Sequence, residues 1–155
     1  MMSIFKKLTS AVHNRTTYRV GLIQAKAYRI LKQKTTALLK PYDLSTIEWA
    51  FLGLLFDNHT VRPTTAAEEL GVEAPFVTVM TSRLKKKGLI ITQKDASDSR
   101  AKILVLTPLG KAFVERIEGV VRGQMRPIIE GASTTDLIGY LATLERIIAN
   151  DVHTN

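Results

Sequence analysis

The chain contains no cysteine, which excludes disulfides, thiolate metal sites and thiol-based redox sensing together. It has no apolar run long enough to span a membrane, because charge interrupts the longest stretches within about ten residues. Its three histidines, His13, His59 and His153, are scattered without metal-ligand spacing. There is no Gly-rich phosphate loop, no nucleophile elbow and no pair of catalytic carboxylates. The expectation is a protein that is not an enzyme and holds no cofactor. Acid is missing from one region altogether: residues 1–42 carry lysines and arginines, and Asp43 is the first carboxylate.

What is present fits one domain with a helical extension. The 155 residues are 45% apolar, enough to fill a core. The formal charge of +8 points to a polyanionic partner, while residues 112–155 are slightly acidic. The acid-free start "MMSIFKKLTSAVHNR" has the composition of a transit peptide or a membrane-surface helix. It reads better as a helix with a solvated or phosphate-facing charged side, since the helical pattern continues beyond it without a cleavage-like break.

Val20, Ile23, Ala27, Ile30, Leu31 and Leu38 recur at three- and four-residue steps, predicting a long amphipathic helix to about Lys40, where Pro41 stops it. "LSTIEWAFLGLLF" predicts a second helix, with Ser45 and Glu48 at capping-box spacing and Trp49, Leu52 and Phe56 on one face. "PTTAAEELG" reads as a short helix capped by Thr64 or Thr65 and stopped at Gly71. "PFVTVMTSRLKKKG" is a fourth, with Pro75 in its first turn and Gly88 at its end. "LIITQK" and "AKILVL" follow a period of two and predict two strands joined by a polar tip. Thr107 and Pro108 then open a long helix, interrupted by Pro127 and Gly131, and Ser133 with Asp136 begins a last one.

Short helix, tight turn, helix and hairpin together form a winged helix-turn-helix in a mainly α (α+β) fold. Ala67 is small enough for two helices to cross closely, Gly71 permits the turn, and Val77, Met80 and Leu84 share the face that packs the second helix on the first.

The residues "AAEELGVEAPFVTVMTSRLKKKGLI" followed by "DASDSRAKILVLTPLGKAF" resemble the MarR family of bacterial transcriptional regulators. The carrying motifs are Gly88-Leu89-Ile90, Asp98-Ser99-Arg100 and Leu106-Thr107-Pro108-Leu109-Gly110, and the likeness covers roughly Leu44 to Val114. The resemblance implies a DNA-binding domain over residues 44–111 and a helical dimerisation region from residues 1–43 and 112–155. It implies a homodimer whose first and last helices intertwine, with the helix Glu73–Lys87 in the DNA major groove and the wing at the minor groove. The family consists mostly of repressors relieved by small phenolic or lipophilic ligands, acting in the bacterial cytoplasm at the nucleoid; some members activate. Two departures bear on the operator: Ser99 stands where the wing usually has an arginine, and Glu73 and Val79 stand where the recognition helix usually has a hydroxyl cap and often an arginine.

The face of the fourth helix opposite Val77 and Leu84 holds Pro75, Val79, Ser82, Arg83 and Lys86, with Thr78 at its edge. Arg83 can donate to guanine or phosphate, Thr78 and Ser82 to several base edges, and Val79 and Pro75 can meet a thymine methyl. Thr64 and Ala74 complete the helical set implied to face DNA. Lys85, Lys86 and Lys87 carry no sequence information and would anchor phosphates; a solvated helix face is the plainer reading of the same residues. In the wing, Asp98 can hold the Arg100 guanidinium for a narrow minor groove, flanked by Lys94 and Lys102. Tyr18, Tyr28, Trp49 and Phe56 are the aromatic candidates for an effector pocket, although such spacing also suits ordinary core. Two rivals share the scaffold: a protein-interaction or membrane-surface module working through the basic N-terminus, and an architectural DNA binder without ligand control.

Overall fold

The computed structural model describes residues 17–96, 98 and 100–151. The basic stretch 1–16, Ser99 and His153 therefore lie outside the described residues. Contacts divide the chain into one unit up to Gly119 and another from Val120 onward.

Helix α1 spans Thr17–Leu39 and tightens into a 3-10 turn at Lys40–Tyr42, where Pro41 sits near the start of the turn. Asp43 follows in the left-handed region at φ 50°. Helix α2, Thr46–Asn58, starts with the expected capping box: the Ser45 hydroxyl accepts from the Glu48 N–H, and the Glu48 carboxylate accepts from the Ser45 N–H at 2.9 Å. The deepest side chains of α2 are Phe51, Leu52 and Leu55, whereas Trp49 and Phe56 are only half-buried. The core-facing stripe is thus rotated from the Trp49–Leu52–Phe56 face that the sequence suggests.

A short strand, β1 (Thr60–Val61), precedes α3 (Pro63–Leu70) and was not expected from sequence. The N-cap of α3 is Arg62, whose side chain makes no capping bond, rather than Thr64 or Thr65. Pro63 explains the shift: its fixed φ and missing N–H suit the first helical position, so the helix begins before the threonines. Gly71 ends α3 at φ 62°, as a left-handed C-cap. Helix α4, Ala74–Lys86, has Pro75 in its first turn, and Gly88 follows at φ 71°. Val77, Met80 and Leu84 are buried, as are Ala66 and Ala67 of the preceding helix.

Strands β2 (Ile90–Lys94) and β3 (Lys102–Leu106) form the expected antiparallel hairpin, and β1 adds to the other side of β3. Helix α5 begins at Pro108 and runs to Met125. Its start is bolted to the hairpin by Thr107, whose hydroxyl donates to the Gly88 carbonyl at 2.7 Å and accepts from the Gly110 N–H at 2.9 Å. A Cβ on Gly110 would strike the Leu89 carbonyl, so the Leu-Thr-x-x-Gly spacing records a close backbone approach.

In the second unit, a 3-10 turn at Arg126–Ile129 separates α5 from α6, Thr134–Asp151. Ser133 and Asp136 exchange capping bonds at 2.9 Å and 3.1 Å. None of the side chains of α6 is buried.

Candidate nucleic-acid interface

The outward face of α4 is open. Ala74, Pro75, Thr78, Val79, Ser82, Arg83 and Lys86 are all exposed, as is Thr64 on α3. Between Ala74 and Lys86 there is no carboxylate, and the cations gather in the last third of the helix. That placement also suits the negative end of the helix dipole. Thr78, Thr81, Ser82, Lys85 and Lys86 line one shallow, open depression.

Three of the cations near the end of α4 are engaged within the chain. Arg83 donates to the Asp43 carboxylate at 2.6 Å and lies 3.4 Å from the carboxylate of Glu48, which is only 2% exposed. Lys87 reaches the same Asp43 carboxylate at 2.9 Å and also bonds the Asp43 carbonyl. Donation from Lys87, and then from Arg83, holds the Asp43 pKa below its usual value. Asp43 in turn raises that of Arg83, with Glu48 adding to it. Lys85 donates to the Thr92 hydroxyl at 3.2 Å, joining α4 to β2. Helix α4 is therefore clamped along one edge to the turn after α1 and along the other to the hairpin.

At the wing, Lys94 and Lys102 are exposed and directly opposed across the β2–β3 ladder. Like charges at such a pair repel one another and are relieved when an anion approaches. Asp98 behaves differently from expectation: its carboxylate accepts from the backbone N–H of Arg100 at 3.0 Å, fixing the turn rather than the guanidinium. The geometry is that of an Asx-turn, in which a short carboxylate meets the backbone two residues on. Arg100 is exposed at the tip.

An unanticipated pair sets the wing's base. Arg62, at the start of α3, donates through Nε and Nη2 to one Asp95 oxygen at 2.9 Å and 2.6 Å. Thirty-three residues separate them, so no local pattern signals the contact. Asp95 also raises the Arg62 pKa, mainly through this hydrogen bond.

The four aromatic candidates lie on two helices, α1 and α2. Tyr18 and Tyr28 are 74% and 61% exposed on α1, and Lys32 stacks over the Tyr28 ring. Trp49 and Phe56 are half-buried on α2. Among the described residues there is no cluster of metal ligands and no helix long and apolar enough to cross a membrane.

No protein-family model matches the chain. Solved structures do. NadR in complex with 4-hydroxyphenylacetate is 25% identical, with a TM-score of 0.73 over 86% of this chain and 93% of that one. MepR of S. aureus, in its DNA-binding conformation, is 23% identical, with a TM-score of 0.72 over 87% and 98%. A MarR-family transcriptional regulator from Rhodococcus sp. RHA1 is 18% identical, with a TM-score of 0.75 over 86% and 94%. Motifs, element order and backbone agree: this chain has the winged helix-turn-helix fold of the MarR-family transcriptional regulators.

Proposed function

We propose that the chain is a cytoplasmic, homodimeric regulator of transcription that binds double-stranded DNA in a sequence-specific manner and is relieved, as a repressor, by a small molecule. One observation carries the reading: the exposed, carboxylate-free face of α4 stands beside a wing that presents Arg100 and the opposed Lys94 and Lys102. Thr78, Val79, Ser82 and Lys86 enter the major groove, Thr64, Ala74 and Pro75 lie at its margin, and Arg100 meets the minor groove. MepR, similar in fold, is known in a DNA-binding conformation.

Apolar surface that a single chain leaves open supports dimerisation. Helix α6 exposes Leu141 at 58% and Ile148 at 67%, and α1 exposes Leu22 at 57%. A second copy covering these faces gives two recognition helices and half-sites about one helical turn apart. The effector is a small phenolic or lipophilic molecule, as NadR is known with 4-hydroxyphenylacetate. It controls DNA binding only through different affinity for the two spacings of the recognition helices.

Titrating a palindromic promoter fragment and its scrambled counterpart at two salt concentrations tests the reading. Tighter binding to the palindrome, with affinity falling as salt rises, is expected; equal affinity for both rejects sequence-specific regulation. Trp49, the only tryptophan, reports effector binding by its fluorescence. A panel of phenolic acids that neither changes that signal nor releases DNA leaves the architectural role as the better account.

A further inference from the structure

The N-terminal two-thirds of α4 lacks the side chains that usually discriminate bases. From Ala74 to Ser82 the sequence is APFVTVMTS, without arginine, lysine, asparagine, glutamine, histidine or acid. Thr78 and Ser82 are short hydroxyls compatible with several base edges, and the Thr78 hydroxyl donates back to the Ala74 carbonyl at 3.3 Å. Arg83 is the one guanidinium on the helix, and it is held by Asp43 and by the buried Glu48. Withdrawing it to a guanine would strip a buried carboxylate of its cation, which is costly.

What this face offers instead is apolar surface. Val79 is 63% exposed and Phe76, one turn earlier, is 45% exposed, with exposed Pro75 beside them. Residues three apart are neighbours on a helix, so Phe76 and Val79 form a continuous strip. Further along the same helix stand Lys85 and Lys86, and the wing presents Lys94 and Lys102, while Glu73 at the N-cap is an exposed carboxylate. An apolar strip on a helix that ends in cations fits a polyanion with apolar edges. In the major groove one base edge has that character, the C5 methyl of thymine.

We propose that Phe76 and Val79, together with Pro75, select thymine methyl groups, so that α4 discriminates sequence through T·A pairs and not through guanine. This rests on the DNA-binding reading above and deepens it. Lys86 and the wing lysines then supply affinity through phosphates, and the strip supplies specificity.

The test begins with duplexes recovered by the full-length protein from a random-sequence pool. The tightest is resynthesised with deoxyuridine in place of thymidine, which removes the methyls and keeps the pairing. Loss of one buried methyl corresponds to about a four-fold weakening. With at least one contacted thymine in each half-site, the wild type should bind the uracil duplex about ten-fold or more weakly. Phe76→Ala combined with Val79→Thr should bind the two duplexes within about two-fold of each other. Both positions are exposed, so the variant should keep the wild-type melting temperature; if it does not, Val79→Thr alone carries the comparison and should lose part of the discrimination. Equal wild-type affinity for both duplexes overturns the proposal, as does a variant that keeps the full thymine dependence, because the effect then lies in DNA shape. A protein that enriches no sequence from the pool overturns the regulator reading itself, whereas enrichment without thymine dependence removes only the methyl selection.

Discussion

The helix-turn-helix lobe and the terminal helices treat the same kind of amphipathic pattern in opposite ways. In the lobe, Phe51, Leu55, Val77, Leu84 and Leu104 are exposed by 1% or less. On α6, Leu141, Ile147 and Ile148 are each more than half exposed, and so are Tyr18, Leu22 and Tyr28 on α1. Periodicity announces that a helix has a face to cover; it does not say what covers it. The lobe covers its own faces with helices from nearby sequence and a three-stranded sheet. The terminal helices leave theirs to a second copy in the proposed dimer, a role that their apolar area suits.

This contrast can be broken in four places. The largest effect belongs to Phe51, the largest fully buried side chain among the described residues. Phe51→Ala should cost about 3–5 kcal/mol in denaturant unfolding, because the transfer loss and a cavity add together; a cost below about 1 kcal/mol would show that the lobe does not depend on close packing around Phe51. Next, Leu141→Asp with Ile148→Asp should raise the dimer dissociation constant about a hundred-fold in sedimentation equilibrium, near 3 kcal/mol, because charge replaces apolar contact. Wild-type association by that variant would place the dimer contact elsewhere. Gly110→Ala should lower stability by about 1–3 kcal/mol through overpacking against the Leu89 carbonyl, while leaving the oligomeric state unchanged. An unaltered melting curve would show that the junction of the hairpin and α5 yields easily.

The smallest effect is acid sensitivity. Asp43 and Asp136 both titrate below the ordinary 3.8, the first because Lys87 and then Arg83 donate to it, the second because Ser133 does. A carboxylate with a depressed folded-state pKa contributes stability above its unfolded value and loses it as pH falls through the folded one. Thermal midpoints should therefore drop as pH is lowered below about 4, and Asp136→Asn should flatten that drop. Superimposable pH profiles for wild type and variant would remove Asp136 from the account.

What could be read from the sequence was local. The capping pairs Ser45–Glu48 and Ser133–Asp136, the stops at Gly71 and Gly88, and the Thr107–Pro108 start all lie within a few residues of what they organise. The contacts that aim the candidate site are distant in sequence. Arg62–Asp95 spans 33 residues and Arg83–Asp43 spans 40, and neither leaves a periodic trace. Strand β1 is two residues long and exists because β3 offers it an edge, too short for a period of two to register. Asp98 does accept from Arg100, as its spacing suggests, but through the backbone N–H and not the guanidinium, since a carboxylate two residues before an arginine reaches either group readily.

Hydroxyl-radical footprinting on a duplex recovered by the protein tests the central claim most directly. Two protected windows about one helical turn apart are expected, with flanking minor-groove protection that disappears in Arg100→Ala while the two windows remain. A single window, or flanking protection indifferent to Arg100→Ala, would contradict a paired grip in which α4 lies in the major groove and the wing tip in the minor groove.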